Sequence, residues 1–424
     1  MESHRERLKR EVISGLDLSS EIEDEEIRRM IDRCILNDSG AQYMPLREKL
    51  QLKSEIYNSI RKLDVLSEFL EDDSISEIMI NGWDTIFVEK NGVIERAPKC
   101  FESADKLMTV LQQIVSSANR LLNDTNPIAD VILPDGSRVN IVLNCVSLDG
   151  TAVTIRKFPK ERLDMEKLIG KGTLDREVAD FLKLLVMAGY NIFISGATSS
   201  GKTTFLNALS DFIPPDERVI TIEDAAELSL KGIENLIRLE VRNANVEGNN
   251  SITIKDLIRT SLRMRPDRII VGEVRDEAAI DMLAAMNTGH DGSISTGHAN
   301  SVRDMMLRLE SMVLMGAELP IRAIRQQISA AVDIVVHLGR LRDRSRRVLE
   351  ICEVIGMEED EIRLNTLYSF EEVLCEDSET YGKQSRDIKD RRIVRGRLRK
   401  INDLMNVHKL EASGLIGIYR EGLG

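Results

Sequence analysis

The apolar positions of this chain change period along its length. Over residues 1–62 they recur every three or four positions in a charged background. That pattern predicts amphipathic helices at about 2–14, 21–36 and 46–62, separated by SGLDLSS and NDSGAQ. Such helices form either a small bundle or a mobile lead-in, and nothing in them points to catalysis. From about residue 63 the period shortens. SEIMI, TIFVEKNGVIER, ADVIL, RVNIVL and TAVTIRKF read as short strands, with NG turns at 81–82 and 91–92, a PDG turn at 134–136 and one helix at about 103–122. Residues 63–160 are therefore expected to form an α+β domain.

Residues 161–173 contain MEKLIGKGT, with glycines at 170 and 172, and read as a linker. Beyond them helical runs alternate with continuous apolar runs: NIFISGA, RVITIED, RIIVGEV and SISTGHA. Alternation of this kind predicts a parallel α/β sheet over 174–355. The methionines of RDMMLRLESMVLMG, 303–316, fall at helical spacing and are expected to fill core. The extension 356–424 is less regular. Its stretch KQSRDIKDRRIVRGRLRK, 383–400, sets nine basic residues against two acidic ones. It reads as a solvated arm, with attraction to anionic lipid or to an acidic partner surface as the functional option.

Composition narrows the classes. A chain of 424 residues makes two or three domains. Its net charge of −13 argues against a dedicated nucleic-acid binder, so no specific nucleic acid is expected as a partner. Cys34, Cys100, Cys145, Cys352 and Cys375 are scattered and odd in number, as in a reducing compartment. The opening MESHRERLKREV lacks an apolar signal core, and the most apolar run, FLKLLVMAGYNIFISG, is interrupted by Lys183, Gly189 and Asn191. The expectation is a cytosolic protein that reaches a membrane only by docking.

The chemistry enters at ISGATSSGKTTFLNAL. Gly196, Ala197, Thr198, Ser199, Ser200, Gly201, Lys202 and Thr203 match G-x-x-x-x-G-K-[ST], followed by Thr204, between an apolar strand and a helical run. Glycines let backbone N–H groups converge on phosphate oxygens, the helix start adds positive potential, Lys202 brings a charge and the Thr203 hydroxyl can ligate Mg²⁺. Two later strands end in acids: RVITIEDAAEL in Glu223 and Asp224, RIIVGEVRD in Glu273, where Gly272 holds the slot usually occupied by Asp. A strand-end carboxylate beside a phosphate loop can hold Mg²⁺ or orient water. Arg138 and Arg156 lie on apolar strands of the α+β domain, where they face solvent or reach a γ-phosphate. His290 and His298 are eight positions apart in TGHDGSISTGHAN, 288–300, a spacing unlike that of zinc ligands.

Taken in order, these motifs resemble the secretion-ATPase superfamily, the RecA-like hexameric motors of type II secretion, type IV pili and type IV secretion. The resemblance is strongest to the CpaF-type ATPases of Flp/Tad pilus assembly and runs from roughly residue 60 to 355. GATSSGKTT resembles Walker A, TIEDAAEL the Asp box, RIIVGEVRD an atypical Walker B and TGHDGSISTGHAN the His box. EIMINGWDTIFVEKNG and LPDGSRVNIVL resemble the N-terminal domain of that subfamily.

The resemblance implies a RecA-like P-loop ATPase domain, preceded by an α+β (PAS-like) domain and a helical segment. It implies ATP and Mg²⁺ as cofactors, with Glu273 as the Walker B acid on the metal directly or through water and Glu223 as the base that activates water. Arg138 and Arg156 become arginine fingers, and His290 and His298 sense the γ-phosphate. The expected partners are five further copies of the chain and inner-membrane pilus platform proteins, with the protein held peripherally at the cytoplasmic face. The role of Arg275 stays open. The rivals are a type IV secretion traffic ATPase and a nucleotide-gated scaffold that hardly hydrolyses ATP. No Cys-x-x-Cys pair is present, which argues against the type II secretion branch.

Overall fold

The computed structural model describes residues 4–16, 23–90, 92–118, 120–158, 162–242, 251–373 and 394–422. The chain divides into two compact units, residues 1–160 and 161–424. In the first, α1 (His4–Ser14), α2 (Asp24–Asn37) and α3 (Leu46–Arg61) bury the apolar stripes read from their spacing, with Leu8, Val12, Ile27, Ile31 and Ile56 inside. They pack as a bundle. A helix not foreseen, α4 (Val65–Glu71), follows, and its Leu66 and Phe69 join the core under the sheet.

Six strands make an antiparallel sheet in the order β3-β2-β1-β6-β5-β4. They are β1 (Ile75–Asn81), β2 (Ile86–Lys90), β3 (Val93–Arg96), β4 (Ile128–Ile132), β5 (Arg138–Val142) and β6 (Ala152–Arg156). One face packs on α5 (Ala104–Ser117) through Leu107, Val110, Leu111 and Ile114. This helix stops short of residue 122: Ala118 N and Arg120 N both turn back to the Val115 carbonyl, at 3.2 and 3.0 Å, and close it at Ser117. On the opposite face, Arg138 and Arg156 stand directly across from one another on neighbouring strands.

The second unit holds a nine-stranded sheet, β15-β14-β13-β12-β7-β11-β10-β8-β9. Its parallel part comprises β7 (Ile192–Gly196), β8 (Arg218–Glu223), β9 (Asn235–Glu240), β10 (Arg268–Val271), β11 (Ile294–His298) and β12 (Ile334–Arg340). Alternate residues of β7 face opposite cores. Ile192 and Ile194 pack with α6 (Met165–Gly170), α7 (Arg176–Met187) and α8 (Lys202–Ser210). Phe193 packs with α9 (Ile254–Ser261), α10 (Ala278–Met286), α11 (Val302–Gly316) and α12 (Ile321–Ala331). Burial on both faces is why β7, β8 and β10 read as apolar runs, whereas β9, at the sheet edge, is partly exposed.

Two stretches differ from their reading in sequence. Within 161–173 the chain forms α6, and Met165 and Leu168 are buried in the core of the second unit. Beyond residue 342 the chain continues the sheet antiparallel, through β13 (Arg346–Glu358), β14 (Glu361–Glu372) and β15 (Gly396–Lys400), before α13 (His408–Ala412) and α14 (Ile416–Gly422). Register shifts at Ile351/Cys352 and Val354/Gly356 break the period-two pattern that would have announced these strands. The greater part of the basic stretch 383–400 lies outside the described residues, and its last residues form β15. Met305, Met306 and Met312 are buried, whereas Met315 is exposed. Among the described residues no helix is long and apolar enough to cross a membrane.

Candidate nucleotide site

The C-terminal end of β7 opens into the loop Gly196–Gly201, and α8 starts immediately after it. A Cβ on Gly196 would stand 2.5 Å from the Leu338 carbonyl oxygen and 2.5 Å from Ser200 Oγ, so only glycine fits. Ser199, at φ 61°, and Gly201, at φ 95°, take left-handed conformations that curl the chain back onto the helix start. These conformations bring the loop round to the N-terminus of α8, where an anion is favoured.

Lys202 is buried at the first turn of α8. Its Nζ donates to the carbonyls of Gly196 and Ala197, both at 3.1 Å, and lies 3.1 Å from His298 Nδ1. An ammonium only donates, so Nδ1 accepts and the imidazole proton sits on Nε2. Nε2 is 2.8 Å from Glu273 Oε1. That approach is close without being aligned as a hydrogen bond, and Oε1, buried from solvent, keeps an open acceptor. Burial, together with the Lys202 and Arg275 charges, pushes the His298 pKa below its ordinary value against the pull of Glu273.

Glu273 is fixed from two sides. Thr296 Oγ1 donates to the Gly272 carbonyl at 2.8 Å, and Val274 N donates to the Thr296 carbonyl at 2.9 Å, stapling β10 to β11 around it. Arg275 Nη2 donates to Glu273 Oε2 at 2.7 Å and its Nη1 lies 3.6 Å from Asp224 Oδ2, joining the two acid-tipped strands. Burial opposes the charge of Glu273, but the Arg275 contact outweighs it and holds the carboxyl below its usual range.

Glu223 sits deeper. Its Oε2 accepts from Glu227 N at 2.7 Å, and Leu228 N donates to both oxygens at 2.8 and 3.0 Å. Two N–H donors, that of Leu228 shared between the oxygens, make these three contacts and leave the carboxylate, with its four lone-pair positions, acceptor capacity to spare. Burial pushes its pKa up to about 7 in spite of those bonds. Gly272 has a physical reason as well, since a Cβ there would press on Glu223 Cγ at 3.2 Å.

The structure brings together the loop Gly196–Gly201, Lys202, Thr203, Glu223, Glu273 and His298. It leaves His290 out. His290 precedes β11 while His298 ends it, so about five residues of strand, roughly 15 Å, separate them. Its Nδ1 instead faces the Ala285 carbonyl at 3.1 Å, at the end of α10. Assignment of His290 to the nucleotide is therefore corrected: sequence neighbourhood to His298 conceals opposite ends of one strand. Arg138 and Arg156 belong to the first unit.

Three features were not foreseen. A cavity of about 170 Å³ adjoins Ser200, Gly201 and Thr204, with Leu163, Leu168 and Phe205 as apolar wall. Ser195 Oγ lies 2.8 Å from His337 Nδ1 beneath the loop, both residues buried. A histidine inside the apolar run IVVHLG is the signal in the sequence that could have found this buried polar pair. Arg346 Nε donates to the Ser199 carbonyl at 2.9 Å from 147 positions away, and no local pattern announces that. Among the described residues no group of three or more His, Cys, Asp or Glu side chains is placed to hold a metal ion by itself. The site fits Mg²⁺ in another way: the open, buried Glu273 Oε1 and a threonine hydroxyl suit an ion that completes its shell with water and phosphate oxygens.

Comparison with known proteins places these observations. Residues 60–406 match the family described as type II/IV secretion system protein. The conjugal transfer protein TrbB of Rhizobium radiobacter is 31% identical over 316 residues, covering 73% of this chain and 93% of that one. The type IV secretion system protein PtlH of Bordetella pertussis is 33% identical over 316 residues, covering 68% and 93%. In fold, the chain is similar to the pilus retraction motor PilT with bound ADP, at TM-score 0.51 and 21% identity, covering 85% of this chain and 88% of that one.

Proposed function

The chain belongs to the type II/IV secretion system protein family and is an ATPase of that family, and we propose that it works as a Mg²⁺-dependent hexameric motor coupling ATP hydrolysis to pilus assembly or secretion. The observation that carries this reading is the run Lys202–His298–Glu273, which links the phosphate loop to a carboxylate with an open acceptor. Loop amides, the start of α8 and Lys202 hold the phosphates. Thr203 and Glu273 would hold Mg²⁺, which would supply positive charge for the phosphates. Glu223, poised near neutrality, takes the proton of the attacking water. The cavity beside Thr204, walled by Leu163, Leu168 and Phe205 on one part and by Lys171, Arg344 and Arg346 on another, receives the base.

Arg138 and Arg156, paired across two strands of the first unit, serve as arginine fingers on the developing charge. His298 senses the γ-phosphate, and His290 has no part in this chemistry. The chain acts at the cytoplasmic face of a membrane, docked on platform proteins, without a specific nucleic acid. Flp/Tad pilus assembly is one branch of this reading. A type IV secretion traffic ATPase is the other, and the names of TrbB and PtlH favour it at least as much.

Phosphate release from ATP tests the proposal. The wild-type chain is expected to release phosphate in a Mg²⁺-dependent manner, and Lys202→Ala to lose roughly 10²-fold or more of that rate with its thermal midpoint kept. Wild-type release in the variant removes the phosphate-loop assignment. ATP binding with no release by the wild type leaves the nucleotide-gated scaffold.

A further inference from the structure

The β12–β13 hairpin lies against the phosphate loop at three points. Leu338 O occupies the space a Cβ on Gly196 would need, Arg346 Cδ comes within 3.3 Å of the Cβ position of Gly201, and Arg346 Nε donates to Ser199 O at 2.9 Å. Ser199 is the residue of the loop that pays for a left-handed backbone without being glycine. Its carbonyl direction follows from that conformation, so the Arg346 bond stabilises the strained form specifically.

The turn is itself held rigid. Asp343 Oδ1 accepts from Ser345 N at 2.9 Å and from Ser345 Oγ at 2.5 Å, while Asp343 Oδ2 accepts from Val394 N at 3.0 Å. Arg347 donates to the carbonyls of Val394 and Gly396, at 3.1 and 3.2 Å, and its guanidinium lies over the Phe370 ring at 5.4 Å. A clamp anchored in this way does not drift with the loop it touches.

We propose that Arg346, on the wall of the cavity assigned to the base, is a positioning residue for ATP binding: through Ser199 O it holds the loop in the curled form before the nucleotide arrives. This rests on the nucleotide-site reading given above. Preorganisation of this kind raises affinity, because the ordering cost is met in advance. It also explains the residue type. Only a guanidinium places an N–H at the Nε position, short of the cationic tip.

The test measures MgATP affinity by calorimetry, and thermal midpoints without nucleotide, for the full chain and four variants. Arg346→Ala is expected to weaken MgATP roughly five- to tenfold, with an unchanged midpoint. Arg346→Lys keeps the charge but lacks the Nε–H and is expected to lose as much. In a Ser199→Gly background, where φ near 61° carries no strain, removing Arg346 is expected to cost under about twofold. Full rescue by lysine, or a loss just as large in the glycine background, overturns the brace. Unchanged affinity in Arg346→Ala, in a chain whose wild type binds MgATP, overturns it too while leaving the nucleotide site standing. A wild type that binds no MgATP overturns the site and the brace together.

Discussion

The two ends of the parallel sheet in the second unit use the same kinds of side chain to opposite effect. At the end where the strands begin, Lys409 donates to Asp333 at 2.8 Å, Asp291 at 2.6 Å and the Gly189 carbonyl at 3.0 Å. Nearby, Arg268, almost wholly buried, donates through all three nitrogens, to Glu217 and to the carbonyls of Val186 and Gly292. At the end where the strands finish, Lys202, His298 and Glu273 form a comparable run that stops on an open acceptor, and Glu223 keeps a lone pair to spare. Burying charge is costly at both ends. A set of donors whose partners are all present holds the fold together, whereas a set left one partner short has room for a ligand. The strand β11 joins the two, with His290 before its start and His298 at its tip.

The contrast is tested hardest at the acids. Glu223→Gln is expected to keep ATP binding and to cut turnover by about 10²–10⁴-fold, since an amide cannot take the proton of water. The base works only when deprotonated, and burial sets its pKa at about 7, so wild-type hydrolysis falls as the pH is lowered through about 7. Steady-state rates between pH 5.5 and 9 would show that acid limb, and its absence from the residual Glu223→Gln activity. A drop below threefold in Glu223→Gln, with Glu273→Gln inactive, moves the role of base to Glu273.

The closed end gives a smaller effect of a different kind. Lys409→Met leaves Asp333 buried without its cation and is expected to cost about 1–3 kcal/mol of stability in denaturant unfolding. Hydrolysis per folded molecule should stay within about twofold. Lost turnover at full stability would break the division between the two ends. The smallest contrast lies on β11. His298→Ala is expected to slow hydrolysis about tenfold by freeing Lys202 and Glu273 from each other. His290→Ala should change it less than about twofold, and equal losses in a phosphate-release assay would return His290 to the site.

What the sequence made legible is what short segments decide. The loop Gly196–Gly201 is dictated by residues that must curl and a helix that must follow, so motif and geometry agree. The apolar runs of β7, β8, β10 and β11 and the stripes of α2 and α3 were equally plain, since burial on two faces or one sets the period. Contacts between distant segments left no local trace. Lys409 meets Asp333 across 76 positions, Arg346 meets Ser199 across 147, and the antiparallel strands after residue 342 are charged and kinked by bulges. His290 and His298 show the converse error, in which closeness along the chain was taken for closeness in space.

The completion of the second core by its final segments bears on how the chain is made. Leu404, Leu410 and Tyr419 are buried in the same cluster as Phe181, Leu185 and Tyr190, and Tyr190 Oη donates to the Asn406 carbonyl at 2.6 Å from 216 positions earlier. During vectorial synthesis the first unit has both its cores as soon as residue 160 has left the ribosome. The second waits with a formed nucleotide motif but an open flank until about residue 419 emerges. At roughly 5–20 residues per second that interval lasts tens of seconds, during which exposed apolar surface on α7 must be shielded from neighbouring nascent chains.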